Sequence, residues 1–535
     1  METVGDKSPY AASMERPASE HDGDVSSNHS LHRELRPRHL QMIVIGGVIG
    51  TGLFLGTGGN LQDGGPAGLL LSYCLMASLL YSVMVALGEM VSQFPMPGGQ
   101  FALASRFVSP ELGYNYIIVL PAEMSAAAVL ISYWTPAGAV DSTCTTGICN
   151  NAMWVGLMLI AVYAVNYAGT RVYGEMEFWF ASIKVITIIG LIIAGIVISA
   201  GGGPNHEAIG FKYWRETGGF VQYEGIAGAK GRFLGFFADL ISAAFAFIGT
   251  EIVAIAAAET ANPQRAVPNA IKGVWIRLVL FYLISAFLIG ILVSPTDPSL
   301  DLASTAAKSP FVIAMKNAGV KVLPSIVNAA LLTSAWSAGV ADLFVSSRTL
   351  YGLYTRGHAP RFVGKVRQDG LPWVAVTIGA AFALLSFMAA SNNEAGTVFG
   401  YFSSMTAICG MISWTAILWT SIRWHKGLKA QGIDRSTLVY RAPFQPYLSY
   451  YGLTVAVMVM IFGGFTSFIH KFNTSSFITT YFPIPFFAVM FFGYKFTQGS
   501  KIIDYKDMDF VTGASINIPV EPKKKHWWKT MFDYA

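Results

Sequence analysis

Charge is what this chain has least of. Only 13% of its 535 residues are Asp, Glu, Lys or Arg, while 53% are hydrophobic. A water-soluble domain carries about a quarter charged residues. The composition therefore excludes a large separate soluble domain and indicates a polytopic membrane protein, in keeping with a mean hydropathy of +0.48. The formal net charge of +5 is no nucleic-acid signal. The first 30 residues are polar and lack the apolar core of a cleavable signal peptide, so they read as a disordered tail. Cysteine is scarce, with four in all. Cys74 and Cys409 fall in apolar runs and read as packing residues, whereas Cys144 and Cys149 share the polar loop CTTGIC. Catalytic patterns are missing too: there is no HExxH, no GxSxG and no GK[ST] behind the glycine-rich stretch, and the His residues fall in expected tails and loops. No enzyme activity, metal or cofactor is expected.

What is abundant is apolar length. A crossing needs about 20 apolar residues, and the chain offers twelve such runs, near 41–62, 66–93, 112–135, 151–169, 174–200, 236–257, 275–294, 324–352, 372–391, 397–422, 448–469 and 477–497. Lys and Arg in short loops set the orientation. With the N-terminus inside, the inner loops hold Arg33, Arg36, Arg38, Arg265, Lys272, Arg356, Arg361, Lys365, Arg367, Arg423, Lys426, Lys429, Arg435 and Arg441. The short outer loops after runs 1, 3 and 9 hold none. Both termini are then cytosolic, and CTTGIC faces the oxidising side, where Cys144 and Cys149 are either a disulfide or two free thiols. The sequon Asn473-Thr474-Ser475 also falls outside, in a short loop. The basic tail Lys523–Lys529 falls inside, as a solvated charge run or a lipid-headgroup contact.

The first run opens IGGVIGTGLF, Ile45 to Phe54, with four glycines in ten residues. Each costs about 1 kcal/mol relative to Ala in a helix interior. Gly46/Gly50 and Gly52/Gly56 fit GxxxG, a helix-packing pattern. However, Ile-Gly-Thr returns at Ile248–Thr250 in the sixth run. An offset of five crossings inverts the second copy, which is the pattern of inverted repeats whose corresponding helices are broken to build a binding site. A break frees N–H groups at one helix end and carbonyls at the other. The first attract a carboxylate and the second an ammonium, so two facing breaks suit an α-amino acid.

Three ionisable residues sit at mid-run: Glu123 in the third, Lys184 in the fifth and Glu251 beside the second break. Such residues are functional candidates by default, with a purely structural ion pair as the alternative. A fixed ammonium at Lys184 takes the place a sodium ion would need, and a buried lysine can also cycle its own proton. Both point to proton coupling through Lys184, Glu123 and Glu251. Asp342 and Arg348 lie six apart in the eighth run and Glu89 near the inner end of the second.

The stretches RPRHLQMIVIGGVIGTGLFLGTG, YGEMEFWFASIKVITIIGLI, FIGTEIVAIAAAETANPQRAVPNAI and VSSRTLYGLYTRGHAP resemble the fungal amino-acid permeases, the yeast amino-acid transporter branch of the amino acid–polyamine–organocation superfamily. The resemblance runs from about Leu35 to the end of the twelfth run. It implies an all-α membrane fold of twelve helices, a LeuT-like 5+5 inverted repeat plus two extra helices. The divisions are a cytosolic tail 1–35, repeat 1 over 36–200, an extracellular loop 201–235, repeat 2 over 236–422, the extra helices within 423–497 and a cytosolic tail 498–535. It further implies proton-driven uptake at the plasma membrane, with no cofactor besides the proton gradient. The candidate contacts of the substrate carboxylate are Gly46, Gly47, Ile49, Gly50, Thr51 and Gly52. Those of the ammonium side are Phe247, Ile248, Gly249 and Thr250. Glu123 completes the set and Lys184 fills the sodium position. Other stretches, among them SPFVIAMKNAGVKVLPSIVNA, look most like dicarboxylic amino-acid permeases. Those carry an amide where this chain has Glu123, and a carboxylate there repels acidic side chains. The expected activity is therefore import of L-amino acids with broad specificity, the alternatives being a dicarboxylic permease and an amino-acid receptor with little transport.

Overall fold

The computed structural model describes residues 34–47, 49–109, 122–124, 126–127, 130, 151–260, 262–301, 309–390, 395–469, 471–499 and 501–515. The loop holding Cys144 and Cys149, both tails beyond these limits and most of the third apolar run lie outside the described residues. Among the described residues the chain is all-helical. The one extended pairing is an isolated bridge between Leu35 and Thr260.

Among the described residues, eight helical stretches are long and apolar enough to cross a membrane, and two shorter apolar helices, Ala152–Tyr167 and Trp373–Ala389, accompany them. The helices used below are α1 (Pro37–Met42), α2 (Thr57–Gln93), α3 (Gly99–Phe107), α4 (Asn151–Tyr167), α5 (Thr170–Ser199), α6 (Gly228–Phe247), α7 (Ile252–Ala256), α8 (Pro263–Arg277), α9 (Ile284–Leu292), α10 (Leu323–Thr355), α11 (Trp373–Ala383), α12 (Ala395–Ala430), α13 (Tyr447–Phe462), α14 (Thr474–Tyr481) and α15 (Pro483–Gln498). The stretch Gly52–Gln93 has 42 residues, about 63 Å at 1.5 Å per residue and twice a hydrocarbon core of about 30 Å. It holds the second half of the first crossing and all of the next, joined at Gly65, whose φ of +72° turns the chain directly into Pro66.

Four helices start earlier than the apolar runs suggest: at Pro37 rather than 41, Thr170 rather than 174, Gly228 rather than 236 and Pro263 rather than 275. Their first turns are polar, yet a helix satisfies its own backbone wherever it meets the bilayer. In α8 the buried residues Ala266, Val267, Ala270, Ile271 and Val274 keep helical spacing through the polar stretch.

At the end of the bundle opposite Gly65, residues 501–515 return as a strap. The Ile503 amide donates to the Val108 carbonyl at 3.1 Å and the Ser515 amide to that of Gln93 at 2.8 Å. Phe510 packs edge-on against Trp424, centroids 5.1 Å apart, and lies 5.2 Å from Phe107. Arg106 stands over Phe94 at 4.2 Å and pairs with Asp509 at 3.0 Å.

Candidate functional site

Two crossings lose their winding midway. In the first, α1 runs on as a π-helical turn, Ile43–Gly47, and winding resumes with a second π turn, Gly52–Gly56. Ile49 and Gly50 between them are not helical. In the other, α6 ends at Phe247, Ile248 is extended (φ −64°, ψ 151°) and Gly249 has φ +92°. A side chain at 249 is strained in that region, which explains the glycine. A third π turn, Leu278–Leu283, joins α8 to α9. Such turns release carbonyls from the ladder and gather at functional sites.

Arg277 bridges the two breaks. It is 1% exposed; one terminal nitrogen donates to the Val44 carbonyl in the first π turn, and Nη2 donates to Thr250 Oγ1 at 2.8 Å. Thr250 in turn donates to the Phe247 carbonyl at 2.8 Å. On the other side, Ser334 of α10 donates to the Ile49 carbonyl at 2.7 Å.

Glu123 is buried and sits on the first break. Thr51 Oγ1 donates to its Oε2 at 3.0 Å, and the Thr51 amide is directed at the same carboxylate. A Cβ on Gly50 would stand 2.7 Å from Oε1, so the glycine is what lets the acid come close. The carboxylate therefore occupies the N-terminal end of a helix half, the place that favours an anion.

Lys184 is 2% exposed in the middle of α5. Its Nζ lies 3.8 Å from Glu177 Oε1, and Ser337 donates to Glu177 Oε2 at 2.8 Å. Glu123 and Asp342 are within electrostatic reach of the ammonium. Asp342 Oδ2 has no hydrogen-bond partner among the described residues. Glu251, fully buried, accepts from Trp414 Nε1 at 3.3 Å, which ties the second break to α12.

The remaining candidates divide by what they touch. Gly46 packs on α5, where an added Cβ would meet Ala181 Cβ at 2.6 Å, and Gly52 on α6, where it would meet Ala246 Cα at 2.6 Å. Both serve close approach of helices, the GxxxG role. Gly47 closes the first π turn. Ile248 presses into Gly410 of α12. The Phe247 ring stacks on Tyr282 at 4.5 Å and meets Tyr73 at 5.6 Å. Arg348 pairs with Glu259 at 3.0 Å and donates to Thr170 Oγ1 at 3.0 Å, while the Leu35 amide donates to the Glu259 carbonyl at 2.9 Å. That network fastens the far ends of the two broken crossings to α5 and α10. Glu89 is held by Arg435 at 2.9 Å and by the Ala442 amide at 3.0 Å, a structural tie. The sequon residue Asn473 caps α14, accepting from the Ser476 amide at 3.1 Å.

Arg277, Glu177 and Glu259 are not among the residues singled out from the sequence. The mid-membrane charge rule reaches the first two only once the true helix starts are known.

The profile of the family described as amino acid permease matches residues 39–505. The chain is 38% identical to the dicarboxylic amino acid permease of Saccharomyces cerevisiae over 91% of its own length and 81% of that protein's. It is 34% identical to the basic amino-acid permease of the same yeast, over 96% and 90%. It is 37% identical to that yeast's general amino-acid permease, over 91% and 81%. This chain therefore belongs to the amino acid permease family, and is a multi-pass membrane transporter of amino acids rather than an enzyme.

Proposed function

We propose that this chain imports L-amino acids across the plasma membrane by proton-coupled alternating access, with broad side-chain specificity. The proposed architecture is twelve crossings with a LeuT-like 5+5 inverted repeat (36–200 and 236–422) plus two extra helices, and both termini in the cytosol. The observation that carries the reading is the pair of interrupted helices joined by Arg277, with Glu123 seated on the first interruption. The substrate carboxylate takes the amides around Gly50, Thr51 and Gly52, and the ammonium takes carbonyls of the 247–249 break. Glu123 and the substrate carboxylate then compete for one helix end. Protonation removes the charge that holds Glu123 there and clears the place for the substrate, so one proton and one amino acid travel together. Lys184 supplies the fixed positive charge that makes the proton leave again. One proton moved through 100 mV releases about 2.3 kcal/mol, enough to concentrate a neutral substrate about 40-fold at 1.4 kcal/mol per decade.

The test is uptake of labelled amino acids by permease-deficient yeast expressing the chain. Uptake is expected to rise as external pH falls, to collapse with an uncoupler and to ignore sodium. Sodium-dependent, uncoupler-insensitive uptake overturns the coupling.

A second reading, a dicarboxylic permease, draws on the relative of that name at 38% identity. Glu123 weighs against it at each step in which it is ionised, because an acidic side chain then meets a carboxylate of like sign in a low-dielectric cavity. Glu123→Gln removes that repulsion and is expected to shift competition toward glutamate and aspartate by about tenfold, 1.4 kcal/mol. An unchanged competition profile means that Glu123 does not face the side chain.

A further inference from the structure

Between the breaks and the Gly65 turn lies a set of buried polar groups that the substrate reading leaves unused. Asp239 is on α6, two turns before the break. It is 1% exposed, and neither carboxylate oxygen has a hydrogen-bond partner among the described residues. Its Oδ2 presses on α2: a Cβ at Gly64 would fall 2.1 Å from it and one at Gly68 3.6 Å. Any residue but glycine at 64 evicts the carboxyl. Tyr73 of α2 and Tyr282 of the third π turn are both fully buried, and both hydroxyls lack a partner among the described residues. Both rings pack on Phe247. Ser285, nearly one turn beyond Tyr282, is buried with its hydroxyl likewise unpartnered. Tyr73 is within electrostatic reach of Asp239 and Tyr282, and Tyr282 within reach of Arg277 and Glu123. Asp239 is thus linked electrostatically through Tyr73 and Tyr282 to Glu123 at the broken-helix site.

No cation faces Asp239 among the described residues. Asp63 stands next to Gly64 on α2, Tyr223 and Glu224 lie in the segment before α6, and Tyr73 comes from α2. From α12 and the 463–468 turn, α6 receives Phe399, Gly463 and Phe465, all without charge. Arg232 and Lys230 lie about two turns and more than two turns further out, and both are exposed. A carboxylate buried without a partner or counter-charge is strongly disfavoured, so such a group holds a proton when dry and gives it up when water reaches it. Several unpartnered polar atoms in one place call for a working explanation rather than a packing one.

We propose that Asp239, Tyr73 and Tyr282 are the proton-intake branch of this transporter. Asp239 takes a proton from water reaching the extracellular half of the bundle. The two phenols, with water between them, relay it to Glu123. Each phenol oxygen accepts one proton as it releases its own, so the net change is one proton lost by Asp239 and one gained by Glu123. The branch rests on the proton-coupled reading above.

The test uses the full-length chain in proteoliposomes with a radiolabelled equimolar mixture of the twenty L-amino acids. Two quantities are scored: accumulation driven by an imposed pH gradient, and counterflow exchange without one. Asp239→Asn and Tyr282→Phe are each expected to cut accumulation by at least about tenfold, to flatten its dependence on external pH, and to leave exchange within about twofold of wild type. Wild-type accumulation in Asp239→Asn overturns the proposal. If Asp239→Asn loses exchange as well, Tyr282→Phe decides: tenfold lower accumulation with exchange kept supports the branch, and unchanged accumulation overturns it. Loss of exchange in both variants makes the cluster structural and also overturns it. A wild-type protein that ignores the pH gradient removes the coupling itself, a failure distinguishable from that of the branch alone.

Discussion

Lys184→Ala is expected to abolish concentrative uptake while exchange of amino acid for amino acid persists. The ammonium stands at the middle of α5, paired with Glu177 at 3.8 Å and within reach of Glu123 and Asp342. Without it, those buried carboxyls keep their protons, because an isolated ionised acid in low dielectric is too costly. A transporter whose acids never deprotonate can still shuttle substrate both ways, but it cannot convert a proton gradient into accumulation. The ratio of internal to external substrate is expected to fall from about 40-fold per 100 mV to about unity, measured in proteoliposomes beside counterflow. Accumulation at the wild-type ratio contradicts the role given to Lys184. The substitution also takes the ammonium away from Glu177, to which Ser337 still donates, and breaking a buried pair from one side costs about 3–5 kcal/mol. A lower thermal midpoint in detergent accompanies the transport defect.

Arg277→Met is the second large effect. The guanidinium spans from the Val44 carbonyl on one interrupted helix to Thr250 on the other. A hydrogen bond to a charged group contributes about 1.5–3 kcal/mol, and a buried acceptor left alone costs about 1–3 kcal/mol. Methionine keeps much of the volume and none of the donors. The two breaks then lose their common strut, and displacing binding groups by 1 Å is enough to cost about 100-fold in a positioned site. Uptake is expected to fall by about that factor at wild-type surface expression. Arg277→Lys keeps the charge without the fork and is expected to fall between the two. Wild-type uptake by Arg277→Met means the breaks are positioned by other contacts.

Where the sequence is readable, it is readable through backbone chemistry. Glycines at 50 and 249 announce interruptions because they share an Ile-Gly-Thr triplet repeated five crossings apart, and both positions lie where winding stops. Glu123, Lys184 and Glu251 stand out because a charge inside an apolar run has no cheap explanation. Partners are another matter. Glu177, Asp239 and Arg277 fall within three residues of the start of an apolar run, where hydropathy reads them as edge charges. In the folded chain the helices begin at Thr170, Gly228 and Pro263, so all three are deep inside. The same boundary shift hides the Leu35–Glu259–Arg348 clasp, which joins residues more than two hundred positions apart. A one-dimensional pattern carries the cost of burying a charge but not the address of its counterpart.

The strap of residues 501–515 has a mechanical consequence. Phe107 of α3, Trp424 of α12 and the strap's Phe510 share one aromatic cluster. Arg106, Arg423 and Gln431 hold the strap's carbonyls at Asp509, Ile503 and Met508, and Ser515 ends on the last turn of α2. Three pieces distant in the chain are thereby riveted into a single plate. In the alternating-access cycle proposed above, a rocking motion is expected to pivot around this plate rather than through it, with the two interrupted helices as the compliant members of the frame.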